Sequence, residues 1–260
     1  SAGTAKIAVV GKYTDHIDSY KSIQESLIHG GIANDVKADI HWLSSEVFDN
    51  GEGVEKLKEY DGLLIPGGFG PRGVEGMLET IRWARENQMP FFGICLGLQC
   101  AVIEFARNVC GLEGSHSSEF AEASPDPVIC LLDSQLQVTT MGGTMRLGAY
   151  PCALGEGTKA REIYGVDEIS ERHRHRFEVN NEYRDLLTDN GMTISGTSPD
   201  GGLVEMIELT EHPWFVAGQF HPELKSRPTR PHPLFASFVG AAAAYARNQP
   251  AKPAAEPASV

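Results

Sequence analysis

The sequence predicts an α/β fold: a mostly parallel, doubly wound sheet with helices on both faces and an antiparallel β extension. In the first half of the chain, short apolar runs alternate with amphipathic helical patterns, an order that favours parallel strands joined by right-handed crossovers. In the second half, short β-type runs follow one another with few helices between them, which is typical of antiparallel pairing. With 260 residues, 41% of them hydrophobic, the chain can bury a large core without disulfides.

The first half contains four strand patterns, each a short run rich in apolar and β-branched residues. They are predicted at residues 7–10, 38–43, 62–65 and 90–94. A helical pattern that begins near Tyr20 is predicted to stop at Gly30-Gly31, and two more helices are predicted at 74–87 and 96–107. Because ligands of doubly wound sheets bind at the carboxyl ends of the strands, the loops after Ile65 and Ile94 are the first places to expect a site.

The second half reads as short strands with two short helices and a closing helix. The strands are predicted at 128–132, 136–140, 145–147, 193–197, 203–209 and 214–220, and the helices at 158–164, 181–188 and 233–247. We expect one domain over residues 1–248. Residues 249–260 hold three prolines and few bulky side chains, so we expect a flexible tail that cannot repay its ordering entropy.

Composition excludes several classes of protein. The 22 basic and 35 acidic residues give a net charge of −13, which argues against a nucleic-acid partner. No apolar stretch approaches the roughly 18 residues that span a bilayer, so we expect no membrane contact and a cytoplasmic location. The five cysteines are odd in number and form no CxxC pair, which fits neither a disulfide framework nor a zinc site.

A Gly-x-Cys-x-Gly turn follows the fourth predicted strand, where residues 91–97 read FFGICLG. An apolar strand enters a glycine-flanked turn and then a helix, as in the Gly-x-Ser-x-Gly elbow of hydrolases. This geometry would hold the Cys95 sulfur at a helix N-terminus, where the positive end of the dipole favours a thiolate. A buried structural cysteine in a βα turn is the alternative for this segment alone.

A possible partner for that cysteine lies at residues 219–223, which read QFHPE. His221 and Glu223 are two positions apart after a predicted strand, so their side chains would share a face. Glu223 could then hold His221 in one tautomer and offset the charge of its imidazolium. An isolated His-x-Glu is more often a surface turn, and that alternative stays open here.

A glycine-rich turn, GGFG at residues 67–70, follows the third predicted strand. Its amides would lie beside the cysteine turn at the same edge of the sheet, and glycine lets the main chain approach a ligand closely. One of these amides, with the amide of Leu96, would form a two-donor oxyanion hole. A plain glycine-rich turn between strand and helix explains the same residues.

Taken together, the PGG at residues 66–68, the GICLG at 93–97 and the HPE at 221–223 resemble the class I, triad-type glutamine amidotransferases. These enzymes release ammonia from glutamine through a cysteinyl thioester. Longer segments resemble the glutaminase domains of the CTP synthase family over about residues 5–245: VGKY at 10–13, GGFGPRGVEG at 67–76, MGGTMRLG at 141–148 and RHRHRFEVN at 172–180. The resemblance implies the class I glutamine amidotransferase fold, which has a flavodoxin-like sheet.

The resemblance assigns catalytic roles to five residues. It implies that Cys95 is the nucleophile, that His221 is the general acid and base, and that Glu223 orients His221. It also implies that the amides of Gly68 and Leu96 form the oxyanion hole.

Substrate contacts also follow from the resemblance, which implies that Gln99, Glu119 and Arg176 bind glutamine together with Gly68 and Leu96. The Glu119 carboxylate suits the ammonium group of the substrate, and Arg176 suits its carboxylate. Residue chemistry alone selects neither, because it describes Glu119 as an exposed loop acid and Arg176 as one cation in a solvated basic strand.

Partners and cofactors are likewise expectations from the resemblance. It implies L-glutamine as substrate, no cofactor and no metal in this domain, and an N-terminal amidoligase domain that is absent from this chain. In the full-length enzyme that domain would use ATP and Mg²⁺ to aminate UTP to CTP, with GTP as activator at the domain boundary, and the assembly would be a homotetramer. Residues 10–13 lack the spaced glycines and the Ser/Thr of a phosphate-binding loop.

Three further interpretations concern the His173–His175 segment and the function of the chain as a whole. The alternating His173-Arg174-His175 segment has no cysteine or carboxylate at ligand spacing, so we expect a strand edge that faces an anion rather than a metal site. The chain could instead be the glutaminase subunit of another ammonia-using synthase. It could also be a catalytically silent domain that binds a ligand or regulates a partner.

Overall fold

Two sheets organise the parts of the chain that this computed structural model describes, residues 3–12, 20–132 and 145–249. The strands are β1 (Thr4–Gly11), β2 (Lys37–Ser44), β3 (Gly62–Ile65), β4 (Phe91–Ile94), β5 (Ser115–Ser117), β6 (Asp126–Cys130), β7 (Arg146–Leu154), β8 (Glu168–His175), β9 (Glu178–Val179), β10 (Met192–Thr197), β11 (Val204–Leu209) and β12 (Phe215–Gly218). The helices are α1 (Lys21–Ala33), α2 (Val74–Glu86), α3 (Leu96–Asn108), α4 (Lys159–Tyr164), α5 (Arg184–Asp189) and α6 (Pro233–Asn248), with short 3₁₀ turns at Ser45–Phe48, Val54–Glu59, Asn181–Tyr183 and Pro222–Leu224.

The large sheet has the strand order β2-β1-β3-β4-β12-β11-β10-β7-β8. Its first five strands pair in parallel, and the remaining pairs, from β12–β11 to β7–β8, are antiparallel. The predicted parallel sheet with an antiparallel extension is therefore confirmed. A small sheet of order β5-β6-β9 lies against α3.

Helices cover both faces of the parallel half. On one face α1 and α6 pack together over Ile7 and Phe92, and on the other α2 and α3 pack together over Ala8 and Leu63. Strands β3 and β4 are buried along their whole length, as expected for parallel strands covered on both sides. The carboxyl ends of β3, β4 and β12 consequently meet at one edge, and each is followed by one of the glycine, cysteine and histidine segments singled out above. No helix of the described ranges combines the length and apolarity needed to cross a bilayer.

Helix α1 does not stop at Gly30-Gly31, contrary to the prediction, but continues to Ala33. Both glycines serve close packing instead: a Cβ on Gly30 would lie 2.6 Å from a backbone oxygen of α6, and one on Gly31 would lie 2.7 Å from the Val36 oxygen. The residue that caps the C-terminus of the helix is Asn34, whose side-chain amide donates to the carbonyl of Gly30 at 2.7 Å.

Only the His173–His175 part of strand β8 is expected from the sequence as a strand, and as a solvated one, whereas the strand runs over eight residues and its burial alternates strictly between the two faces. Its buried positions include Glu171, His173 and His175, so the expected alternation of apolar and polar residues is missing from the sequence. The predicted strand at 136–140, residues 141–144 of the MGGTMRLG segment, Tyr13 and residues 250–260 of the tail lie outside the described residues.

Candidate active site

Cys95 occupies a strained turn between β4 and α3, with φ +53° and ψ −102°. Such a conformation is costly for a residue with a side chain and is held by its surroundings. A Cβ on Gly93 would lie 2.8 Å from the Gly97 carbonyl, and one on Gly97 would lie 2.3 Å from the Ile65 oxygen. The Cys95 amide donates to the Gly218 oxygen at 2.8 Å. Close backbone contact with β3 and β12 therefore fixes the position of the Cys95 side chain, which is almost buried.

His221 and Glu223 lie beside this turn, just after β12, and both side chains are largely buried. His221 Nδ1 is 2.7 Å from Glu223 Oε1; because a carboxylate only accepts, Nδ1 is the donor. Burial lowers the pKa of His221, but hydrogen bonds with Cys95 and Glu223 outweigh burial and raise it to about 10. The imidazole is therefore protonated at neutral pH, and an imidazolium next to the sulfur stabilises a thiolate.

The glycine turn after β3 contacts the same group of residues. A Cβ on Gly67 would lie 2.7 Å from His221 Cε1 and 3.6 Å from Cys95 Cβ, and one on Gly68 would lie 3.3 Å from a Leu96 methyl carbon. Within the described residues, no hydrogen bond occupies the amide of Gly68 or of Leu96. Two N–H groups close to the sulfur thus remain available to a ligand.

A cavity of about 400 Å³ opens next to the sulfur of Cys95. It brings together the three side chains that the resemblance assigns to substrate binding, Gln99, Glu119 and Arg176, which come from α3, from the loop between β5 and β6, and from the end of β8. Burial raises the pKa of Glu119, although the Gly70 amide donates to its carboxylate at 3.3 Å. The cavity is lined by Gly68, Phe69, Cys95, Gln99, Glu119, Met145, Arg174, His175, Arg176 and Phe177.

A second cavity, of about 380 Å³, is lined by Cys95 together with His221 and Glu223. It shares Gly68, Phe69, Cys95 and Arg174 with the first cavity and extends toward α1. Cys95 is therefore placed where two cavities meet. The lining consists of Tyr20, Ser22, Ile23, Pro66, Gly67, Gly68, Phe69, Cys95, Arg174, His221, Glu223 and Leu224.

Lys12 supports the glycine turn, a role that the sequence analysis above does not assign to it. Its Nζ donates to the carbonyl of Phe69 at 3.1 Å and to that of Gly70, and it lies over the ring of Phe120. Burial lowers the pKa of this lysine. A lysine that directly follows an apolar strand, at the edge where the other strands end, was the available signal.

The RHRHR segment is divided between two environments by the strand alternation of β8. Arg174 is exposed and lines both cavities, whereas His173 and His175 are buried and lie 2.8 Å apart through Nδ1 and Nε2, with His175 also lining the first cavity. His173 Nε2 is 2.9 Å from Glu205, which also accepts from Arg146 at 2.7 Å. Burial lowers the pKa of both imidazoles. The expectation of an anion-facing edge stays a prediction, and Arg174 is the exposed cation of this segment that could serve it. In the described ranges no cluster of His, Cys, Asp or Glu has the make-up of a metal site.

Comparison with known proteins gives one consistent picture at the level of sequence. The family described as Glutamine amidotransferase class-I matches residues 15–241. A Clostridium perfringens protein named CTP synthase is 60% identical over 239 residues, which is 92% of this chain and 45% of that protein. One from Geobacillus kaustophilus with the same name is 58% identical over 238 residues, again 92% and 45%. The chain thus spans less than half the length of the curated relatives it matches.

Solved structures agree. The glutaminase domain of Trypanosoma brucei CTPS, with bound acivicin, matches with a TM-score of 0.87 and 39% identity, covering 92% of this chain and 94% of that one. A putative GMP synthase subunit from Thermoplasma acidophilum matches with a TM-score of 0.58 and 18% identity, covering 94% and 96%, and this likeness concerns the fold alone.

Proposed function

The chain belongs to the class-I glutamine amidotransferases and groups with the glutaminase domains of CTP synthases, and from this we propose that Cys95, His221 and Glu223 hydrolyse L-glutamine to glutamate and ammonia. The observation that carries the proposal is the position of Cys95: it lines both the cavity that contains the hydrogen-bonded His221 and Glu223 and the cavity that contains the oppositely charged Glu119 and Arg176. Nucleophilic catalysis needs this combination of nucleophile, oriented base and substrate site.

Glutamine binding is assigned to the cavity that contains Gln99, Glu119 and Arg176. The Glu119 carboxylate pairs with the ammonium group of the substrate, and the Arg176 guanidinium pairs with its carboxylate, an arrangement that suits a planar fork of donors. The side-chain amide of the substrate then reaches Cys95 at the junction of the two cavities.

In the first chemical step the Cys95 thiolate attacks the amide carbon, and the amides of Gly68 and Leu96 stabilise the developing oxyanion. Loss of one such donor typically costs about 10²–10³ in rate. His221 then gives its proton to the departing nitrogen, the C–N bond breaks, and ammonia leaves a thioester behind. In the second step His221 takes a proton from water, the hydroxide attacks the thioester, and glutamate is released as the thiolate re-forms.

The ammonia would be used by a second domain of a larger protein. We assign the amidotransferase domain to residues 1–248, and we place its partner in the N-terminal half of a protein like the relatives above, of which this chain spans 45%. That partner is an amidoligase that uses ATP and Mg²⁺ to convert UTP to CTP, with GTP as activator at the domain boundary, and the full-length enzyme is a homotetramer.

Labelling with acivicin tests the function, because a relative is known with this compound bound. We expect stoichiometric modification of Cys95 in the parent, together with glutamine-dependent release of glutamate. Cys95→Ala should lose both. Cys100→Ala is the matched control, since this cysteine lies fully buried one turn further along α3, where burial raises its pKa to about 12. Labelling or glutamate release that persists in Cys95→Ala would contradict the proposal.

A further inference from the structure

A second polar side chain, besides that of His221, contacts the Cys95 sulfur. Gln219 lies in the turn after β12, is fully buried, and its Nε2 is 3.7 Å from Cys95 Sγ. We propose that Gln219 donates an N–H to the Cys95 thiolate and at the same time fixes which atom of Gln99 faces the glutamine cavity. The inference rests on the proposed function for its consequences in catalysis, but the contact with sulfur can be tested without glutamine.

The orientation of the Gln219 amide follows from a chain of hydrogen bonds that ends on the main chain. Gln99 Nε2 is 3.1 Å from the Phe177 carbonyl oxygen, and because a carbonyl can only accept, the NH₂ of Gln99 must be on this side. The same Nε2 is 3.3 Å from the other amide, that of Gln219, which must therefore present its oxygen. The Gln219 NH₂ is then left to face Cys95.

A donor at this position favours the charged form of the sulfur. The side chain of Cys95 is only 3% exposed, and the Arg174 carbonyl oxygen lies 4.0 Å from Sγ. That oxygen can accept from a neutral thiol but repels a thiolate. The Gln219 N–H acts in the opposite direction, since a hydrogen bond to the charged form stabilises it.

Gln219 differs from His221 because an amide does not titrate. His221 must release its proton to the leaving nitrogen and later take one from water, so the charge it offers to sulfur changes during the cycle. The Gln219 N–H remains in place while sulfur attacks and again while it leaves the thioester carbon. The backbone amide of Gln219 also donates to the backbone carbonyl oxygen of Glu205 at 2.8 Å, and this hydrogen bond holds the residue in place.

The second consequence concerns Gln99. Both hydrogens of its amide are engaged, one by Phe177 and one by Gln219, so the two side-chain hydrogen bonds that Gln99 forms within the described residues use Nε2 and leave Oε1 to the cavity that the residue lines. The side chain therefore offers the cavity an acceptor and no donor. Such a group interacts with an N–H of glutamine and disfavours a carboxylate oxygen at the same place, which helps to distinguish the amide substrate from the acid product.

Two variants separate these roles. Gln219→Met keeps the length of the side chain but removes both donor and acceptor. Gln219→Glu keeps an acceptor for Gln99 and places a carboxylate oxygen against sulfur. Met192→Leu, a buried substitution in β10 away from Cys95, serves as the control for general perturbation of the interior.

The main measurement is alkylation of Cys95 by iodoacetamide across pH, quantified on the Cys95 peptide by mass spectrometry, with thermal unfolding of each variant. We expect both Gln219 variants to react about tenfold or more slowly at pH 7 and their profiles to move to higher pH, because a hydrogen bond to a charged group is lost. The acivicin concentration that gives half-maximal labelling then tests the orientation of Gln99. Gln219→Glu should have the same value as the parent, whereas Gln219→Met should have a higher one.

Iodoacetamide profiles that coincide with the parent in both variants would overturn the inference. If Gln219→Met does not fold, the nearly isosteric Gln219→Glu decides alone, since its carboxylate must slow alkylation if the NH₂ faces sulfur. A parent chain that acivicin does not label would count against the proposed function, while the iodoacetamide comparison would still decide the role of Gln219.

Discussion

Replacing Gly67 by alanine should displace His221 without disturbing the backbone. The added Cβ would lie 2.7 Å from His221 Cε1, whereas non-bonded carbon atoms prefer about 3.5–4.0 Å. The ring must therefore retreat by about 1 Å, and its hydrogen bond to Glu223 limits the directions in which it can move. The same Cβ would make an ordinary contact of 3.6 Å with Cys95 Cβ. A misplacement of about 1 Å at a reacting group can cost on the order of 10² in rate.

The assay is the rate of acivicin labelling of Cys95, with glutamate release measured in parallel, and we expect both rates to fall about 10²-fold. Gly202→Ala is the matched control, because the nearest atom to its new Cβ is a carboxylate oxygen of Asp200 at 3.4 Å. Its rates should equal those of the parent. If Gly67→Ala labelled as fast as the control while unfolding at the same temperature, the close approach of Gly67 to His221 would not matter for the chemistry.

Two predictions concern stability. Glu104 is fully buried and forms a two-pronged ion pair with Arg85, so Glu104→Ala should lower the free energy of unfolding in urea by about 3 kcal/mol. Glu86 is half exposed and pairs with Arg82 and, at 3.6 Å, with the same Arg85, so Glu86→Ala should change the free energy of unfolding by less than about 0.5 kcal/mol. Equal losses in the two variants would contradict this reasoning. The pKa of His221 is raised from 6.5 to about 10 on folding, so its contribution is complete below pH 6.5 and is lost as the pH rises toward 10. The thermal stability of the parent relative to His221→Gln should shrink over that interval, and an advantage that grows with pH would refute the assignment.

The parallel half of the fold was predictable because strands β1, β3, β4 and β12 contain apolar runs and helical patterns separate the first of them. The buried face of β8 was not predictable, because its inward positions carry Glu171, His173 and His175. These side chains are acceptable in the interior only through partners from distant strands, such as Glu205 and Arg146. The local sequence does not indicate a partner that lies on a distant strand, so buried polar positions are interpreted as solvent-exposed ones.

The candidate site shows the same limit. Cys95 and His221 stand in local patterns that are legible because glycines and a strand end surround them. Glu119 and Arg176 were indicated only by resemblance, since what distinguishes them is a shared cavity between separate segments. Gln219 was part of a recognised motif, but its role depends on a contact with a residue 124 positions away.

The bare-backbone contacts at Gly93 and Gly97 have a consequence for how this protein can change over time. The turn that carries Cys95 is enclosed by main-chain atoms of β3, α3 and β12, with the Cβ atoms of Ile65 and Ala217 beside them. Backbone atoms cannot move aside as the end of a flexible side chain can. We therefore expect a side chain added at Gly93 or Gly97 to shift the Cys95 sulfur, whereas exchanges of aliphatic residues in the two helical layers should act mainly on the melting temperature.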